Sequence, residues 1–479
     1  MRKLLAKIYS SNDFGRSGCK DDQCNCACPT GEYVVQVDER ILHDAFHSSD
    51  VYQHDLSPSA KLLFNQSIGK EVVVVNKDAY EFWQNFKAPT LLNTLDASGY
   101  ETARRMIDLA LLEPVSECYH PHTPTPDSLS VWLHITNSCN LLCTYCYVNK
   151  SNDHMDLETG KSAIDAAFRS ALKGGFKKVN LKFAGGEPTL RLDTVFQLYA
   201  YGQEVSKREE IEIESVILSN GTTLSQENMD EIQARGMRLM LSIDGIGLMH
   251  DAQRPFLGGQ GTYEKVWRAL EWAINSGLRP FISITVTDES VMGLPELTTR
   301  LLPLDLPFNL NFARPVMPGK MPDNQKMIAG LKETFECIEA NLPGYSLLGS
   351  LLDRSLFSSA HERPCGVGEA YMVVDQRGEV ASCQMTLKQS VTNIHVDDPL
   401  LMLKVHEGFK NPSVDQKEGC SQCQWKYVCA GGCPQAAYQT TGRYDVASPF
   451  CEVYKAMYPE LLRLEGLRIL KYSGEELTL

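Results

Sequence analysis

The chain has 479 residues, 43% of them hydrophobic, and a formal net charge of −14. That length divides into two or three domains, and the acidic surplus argues against nucleic acid as a partner, since phosphate binding needs a basic surface. No apolar run reaches the roughly 20 residues that a membrane helix requires, and the basic N-terminus has only a short apolar stretch broken by Lys7, so a secretory signal is not expected.

Sixteen cysteines set the next constraint. In a long chain without a signal they read as reduced thiols held as metal ligands in a cytoplasmic enzyme, not as a disulfide framework. Residues 1–58 carry four of them, Cys19, Cys24, Cys26 and Cys28, in a tail with no assigned role. If extended, Cys24, Cys26 and Cys28 point to one side; chelation of one metal would require a turn. Residues 59–120 follow, where a helical stretch is expected to lead into a strand at 71–75. Helices are then expected at 78–86, 91–99 and 100–112.

From 128 to 345, strand and helix signals alternate. Apolar runs at 131–136, 179–183, 212–219, 237–242, 280–286 and 308–312 read as buried parallel strands. Amphipathic segments at 157–173, 194–207, 225–235, 263–276 and 324–342 read as helices. The expected class is α/β, with six β/α repeats in a partial parallel barrel. In such sheets the active site lies at the carboxyl ends of the strands.

The motifs fall at those ends. Cys139, Cys143 and Cys146 form a CxxxCxxC just after the first strand. Three thiolates on one tight loop can hold three irons of a [4Fe–4S] cluster and leave the fourth open to a chelating ligand; a structural zinc loop is the alternative, although zinc prefers a closed set of four. The second strand ends in Gly185-Gly186-Glu187-Pro188, where glycines permit close backbone approach and the carboxylate suits an ammonium group. The third ends in Ser219-Asn220-Gly221. The fourth ends in Ser242, Asp244 and Gly245, with Arg254 beyond.

With Tyr145 before the last cysteine and the GGEP motif, residues 131–312 resemble the radical S-adenosylmethionine (SAM) superfamily. The resemblance implies reductive cleavage of S-adenosyl-L-methionine to a 5′-deoxyadenosyl radical that abstracts a substrate hydrogen. It also implies roles. Cys139, Cys143 and Cys146 ligate the cluster, and Gly185, Gly186 and Glu187 contact the methionine amino group. Ser242 and Arg254 fix the ribose and carboxylate, and Asn220 lies beside the adenosine. Tyr145 and Asp244 belong to the same cofactor-binding motifs.

Seven further cysteines occupy 360–479: Cys365, Cys383, Cys420, Cys423, Cys429, Cys433 and Cys451. Short strands at 371–374 and 380–382 flank a turn at Gly378. Two zinc ribbons would account for such an array. It also resembles the SPASM extension of radical SAM enzymes, whose members act on peptides and proteins. That pattern implies two auxiliary [4Fe–4S] clusters, making three in all. Cys420, Cys423, Cys429 and Cys451 close one, while Cys365, Cys383 and Cys433 hold the other. Sulfatase-maturase relatives carry an additional cysteine six residues before the array; here that residue is Ser359. The first auxiliary site is therefore expected either to leave an iron open or to recruit Cys337, Cys118 or the N-terminal cysteines.

Residues 62–115 resemble the winged-helix element that binds leader peptides, which would capture a peptide by strand addition. The expectation is a peptide maturase that installs a thioether or carbon–carbon crosslink. Its partners would be a peptide or protein with a leader segment and an electron donor such as flavodoxin or ferredoxin, with neither nucleic acid nor membrane. A formylglycine-type sulfatase maturase or a quinone-cofactor maturation enzyme is the alternative within enzymes. An iron–sulfur electron-transfer or scaffold protein is the alternative outside them.

Overall fold

A computed structural model describes residues 6–14, 44–69, 71–116, 126–315, 319, 321–349 and 351–474. Cys19, Cys24, Cys26, Cys28 and Cys118 lie outside the described residues. The described residues begin with seven strands: β1 (Ile8–Ser10), β2 (Ala45–Ser48), β3 (Tyr52–Ser57), β4 (Ala60–Phe64), β5 (Val72–Asn76), β6 (Thr90–Leu91) and β7 (Leu112–Pro114). Six more form the centre: β8 (Ser128–Thr136), β9 (Lys178–Gly185), β10 (Glu212–Ser219), β11 (Arg238–Ser242), β12 (Phe281–Val286) and β13 (Phe308–Phe312). The last three are β14 (Tyr371–Val374), β15 (Glu379–Ala381) and β16 (Thr392–Asn393).

The central sheet runs β13-β12-β11-β10-β9-β8-β14-β15-β16. From β13 to β14 every pairing is parallel, as in Val131 opposite Leu181 and Ile282 opposite Phe308. A helix follows each of the six central strands, and helix ends carry their own signals. Asp156 caps Leu157–Gly174, which stops at Gly175 in the left-handed conformation; Ser225 and Asn228 form a reciprocal capping box on Gln226–Ala234. Alternation along β8 divides the core. Leu129, Val131, Leu133 and Ile135 join the helix layer, whereas Trp132 faces Cys365, Tyr371, Val373 and Cys383 on the other side.

The six expected central strands lie where the sequence placed them. The C-terminal cysteine region differs from a free-standing fold, because β14 adds directly to β8. All four residues of Tyr371–Val374 are buried, as a strand covered on both faces requires.

The N-terminal region departs further from expectation. The stretch expected to be helical before residue 71 is β4. Its residues alternate in destination: Leu62 and Phe64 enter the main core, while Leu63 packs with Val73, Val75, Trp83 and Met106. That is strand periodicity in a five-residue run. Helices form at Lys77–Gln84 and Ala97–Asp108, capped by Asn76 and Asp96. The expected end of the last helix is instead β7, paired with β2.

The boundary drawn at residue 58 also cuts through a sheet. β3 pairs with β4 and β1 with β5 in the order β1-β5-β4-β3. This sheet rests on the C-terminal helix Cys451–Ser473, where a Cβ added to Gly466 would stand 2.8 Å from Leu56 and 2.9 Å from Leu62. Below it lies a fully buried ion pair, Arg468 to Glu465 at 2.7 Å. Glu465 accepts from Ser346 Oγ and the Leu347 amide, and Arg468 donates to the carbonyls of Ser11 and Phe14. Buried charges are tolerated when every donor and acceptor is used, and this pair ties three distant segments together.

Candidate active site

The CxxxCxxC loop leaves the carboxyl end of β8 and is clamped from two sides. On one side the Gly186 amide donates to the Thr136 carbonyl at 2.6 Å, and the Glu187 amide to Ser138 at 2.9 Å. A Cβ on Gly185, whose φ is +146°, would fall 2.4 Å from the Thr136 carbonyl oxygen; on Gly186 it would fall 2.3 Å from that of Ser138. These glycines are required by the backbone that carries the cysteines. On the other side the Leu142 amide donates to Pro255 at 2.7 Å and the Leu257 amide to Asn140 at 3.0 Å.

Glu187 is 1% exposed. Its carboxylate accepts from the Thr189 amide and hydroxyl, from Ser219 Oγ at 2.8 Å and from the Asn220 amide at 2.7 Å. Burial raises its pKa against those donors. The side chain expected to face an ammonium thus also ties the end of β9 to the end of β10. Asn220 extends the link, donating to Asn140 Oδ1 at 3.0 Å with Cys139 Sγ 3.9 Å away.

Asp244 is buried, and its two oxygens serve three groups: the Thr285 amide at 2.8 Å, Arg254 Nε at 2.8 Å and the Tyr145 hydroxyl. The Arg254 guanidinium also lies 5.7 Å from the Tyr145 ring centre. Burial works against the arginine's charge, but Asp244 and the Tyr145 oxygen outweigh it, so the proton is held more tightly than usual. Ser242, half-buried at the end of β11, stands opposite Ser283.

All eleven described cysteines are free thiols. Burial pushes the pKa of Cys139 up to about 11, and it raises Cys143, whose charged neighbours include Arg254, Asp244 and Cys146. Among the described residues no three His, Cys, Asp or Glu side chains converge as ligands of a single ion. A four-iron cluster takes one thiolate per iron, so its ligands stand farther apart. A donor set made of thiols alone is one that iron–sulfur clusters take.

The C-terminal cysteines divide in two. Cys420, Cys423, Cys429 and Cys451 line one cavity of about 20 Å³, walled by Trp425 and Tyr458. Cys365, Cys383 and Cys433 are one another's electrostatic neighbours. Ser359 is buried, its carbonyl facing His361 Nδ1 at 3.3 Å, and Cys337 is half-buried in the helix Asn324–Ala340.

A larger cavity, about 410 Å³, opens beside Tyr145 at the carboxyl ends of β12 and β13. Its lining includes Gln253, Thr287, Asp288, Glu289, Arg314 and Phe450. The volume falls within the range of small-ligand sites. Arg314 is held by Asp353 through two bonds of 2.8 and 2.9 Å. The sequence reading missed Arg314, although it follows a strand end as the other site residues do. It also missed Lys417, which no pattern marks.

Comparison with known proteins agrees with this geometry. The Radical SAM superfamily model matches residues 133–297. The AdoMet-dependent heme synthase of Nitratidesulfovibrio vulgaris is 31% identical over 347 residues, covering 66% of this chain and 90% of that protein. The cysteine-type anaerobic sulfatase-maturating enzyme of Clostridium perfringens is 22% identical, covering 67% and 93%. Among solved structures, native anSMEcpe with bound AdoMet aligns with a TM-score of 0.58 at 21% identity, covering 70% of this chain and 99% of that one. The chain belongs to the radical SAM superfamily and is an enzyme that uses SAM.

Proposed function

We propose that this enzyme is a SPASM-type maturase that modifies a peptide or protein, with three [4Fe–4S] clusters held by Cys139, Cys143 and Cys146; by Cys365, Cys383 and Cys433; and by Cys420, Cys423, Cys429 and Cys451. The observation that carries this reading is the cavity shared by the last four thiols, with Cys365 and Cys383 packed beside Trp132 of β8 and Tyr371 and Val373 of β14 and Cys433 as their electrostatic neighbour. When bound, the first cluster and SAM supply the 5′-deoxyadenosyl radical. Gly185, Gly186 and Glu187 would hold the methionine end and Ser242 and Arg254 the ribose and carboxylate, with Asn220 beside the adenosine, while Tyr145 and Asp244 keep Arg254 in place. The cavity beside Tyr145 receives the side chain that loses hydrogen and shields it from water.

A second reading, oxidation of a tetrapyrrole side chain, is favoured by the similarity to a heme synthase, to a pre-heme d1 synthase and to an Fe-coproporphyrin III synthase. The cavity weighs against it. Asp288 and Glu289 line it, and its arginine is already bound by Asp353, so a ligand rich in carboxylates would meet like charge.

In the N-terminal region the β5 edge is closed by the chain's own Ile8–Ser10, so a leader peptide would add to β3 at the sheet's other edge. The test uses anaerobically reconstituted enzyme, SAM, a reductant and candidate peptides. Peptide-dependent 5′-deoxyadenosine, with the peptide lighter by two hydrogens, supports a crosslinking maturase; a cysteine or serine converted to an aldehyde supports the formylglycine alternative. Amide-exchange protection should rise in Tyr52–Ser57 when peptide binds. Turnover of a porphyrin carboxylate and of no peptide would transfer the assignment to the second reading.

A further inference from the structure

Lys417 is 1% exposed, yet it belongs to none of the assigned ligand sets. Its ammonium donates to the Ala430 carbonyl at 2.7 Å. Its backbone is fixed at both ends, the amide donating to Val414 and the carbonyl accepting from the Cys420 amide, each at 3.1 Å. The side chain threads past Gly431, where φ is +77° and an added Cβ would lie 2.5 Å from Lys417 Cδ, 3.1 Å from its Nζ and 3.3 Å from Cys420 Sγ. Its electrostatic neighbours are the thiols of Cys365 and Cys433 from one proposed site and of Cys420 and Cys429 from the other.

We infer that Lys417 is a buried countercharge shared by the two auxiliary sites, raising the reduction potential of both. The inference rests on the proposed assignment of those sites to clusters. Each added electron makes a cluster more negative, and a cation in a water-poor interior stabilises the reduced form far more than an exposed one does. The other cations divide between the sites: Arg314 and Arg354 face Cys433, while the exposed Lys455 faces Cys420 and Cys451. Lys417 is thus a positioning residue acting through the field it sets, and Gly431 is a glycine partly because the ammonium passes there.

The test is a potentiometric EPR titration of the full-length, anaerobically reconstituted enzyme. Wild-type protein must first show roughly twelve irons and auxiliary signals distinct from that of the Cys139–Cys146 cluster. Only about four irons would overturn the cluster assignment itself and not merely the role of Lys417. In Lys417→Met both auxiliary midpoints should fall, with at least tenfold less reduced cluster at a fixed potential, about 59 mV for a one-electron couple. The SAM-binding cluster should not move, and Lys417→Arg should restore both midpoints. If Lys417→Met loses iron, Lys417→Gln replaces it, keeping a donor for the Ala430 carbonyl without the charge. Unchanged auxiliary midpoints in a fully loaded neutral variant, or a shift in only one, would overturn the inference.

Discussion

The two C-terminal cysteine sets are built on opposite electrostatic plans. In the first, burial pushes Cys383 up to about 12 and raises Cys365, while Cys433 is lowered because Arg314 and Arg354 outweigh its burial. In the second, burial alone dominates, taking Cys420 to about 11 and Cys429 to about 12 and raising Cys451. The second set has four thiols around one cavity; the first has three thiols and two guanidiniums. Where a fourth ligand is not evident, two guanidiniums lie near Cys433, one of them paired with Asp353. On the proposed cluster assignment, iron loading would displace protons from the raised thiols in both sets, and the first set has one thiol already inclined to ionise.

The largest test of that contrast is removal. Replacing Cys420, Cys423 and Cys429 together by Ala should remove about a third of the iron and leave the other clusters' spectra, and replacing Cys365, Cys383 and Cys433 should remove a different third. Loss of all auxiliary iron in either variant would show one shared site. Next in size is Arg314→Met, which strands the buried Asp353 carboxylate and should cost about 3–5 kcal/mol in denaturant unfolding. It should also slow the reaction of Cys433 with an alkylating reagent.

The iron-free protein sharpens the comparison by pH. A thiol whose folded pKa is raised gives stability that is present below the unfolded value near 9.0 and lost as pH rises toward about 12, as for Cys383 and Cys429. Cys433 has the opposite sign: its contribution is present above the unfolded value and lost as pH falls through its lowered pKa. Alkylation of the folded, iron-free protein, followed by mass spectrometry from pH 7 upward, should therefore label Cys433 ahead of Cys429. The smallest expected effect is that of Ser359→Cys. Iron content should hold, while an added substrate thiol should no longer change the auxiliary EPR signal if that position can close the first site.

Much of this was legible in the sequence, for identifiable reasons. The six central strands are buried apolar runs between amphipathic helices, so periodicity located them, whereas the residues expected at the site were marked by cysteine and glycine motifs and by the family resemblance those carry. Gly185 and Gly186 were visible as glycines, but the sequence did not show that they accommodate the Thr136 and Ser138 carbonyls. β4 was misread as helix because its alternation serves two different cores within five residues. The union of the N-terminal sheet with the helix Cys451–Ser473 was invisible, being a contact across some four hundred residues, fixed by Glu465 and Arg468. That union means the N-terminal region is no detachable cap: deleting residues up to about 120 would strip one face from the C-terminal helix and destabilise the whole chain.

The central claim, that the loop of Cys139, Cys143 and Cys146 builds the centre at which SAM is cleaved, is tested most directly by 5′-deoxyadenosine formation. The measurement compares reconstituted wild type with a variant in which those three residues are Ala, under strong reductant and without substrate. Wild type should release 5′-deoxyadenosine and methionine, while the variant, retaining about two thirds of the iron, should release neither. Cleavage at the wild-type rate by the variant would contradict the account.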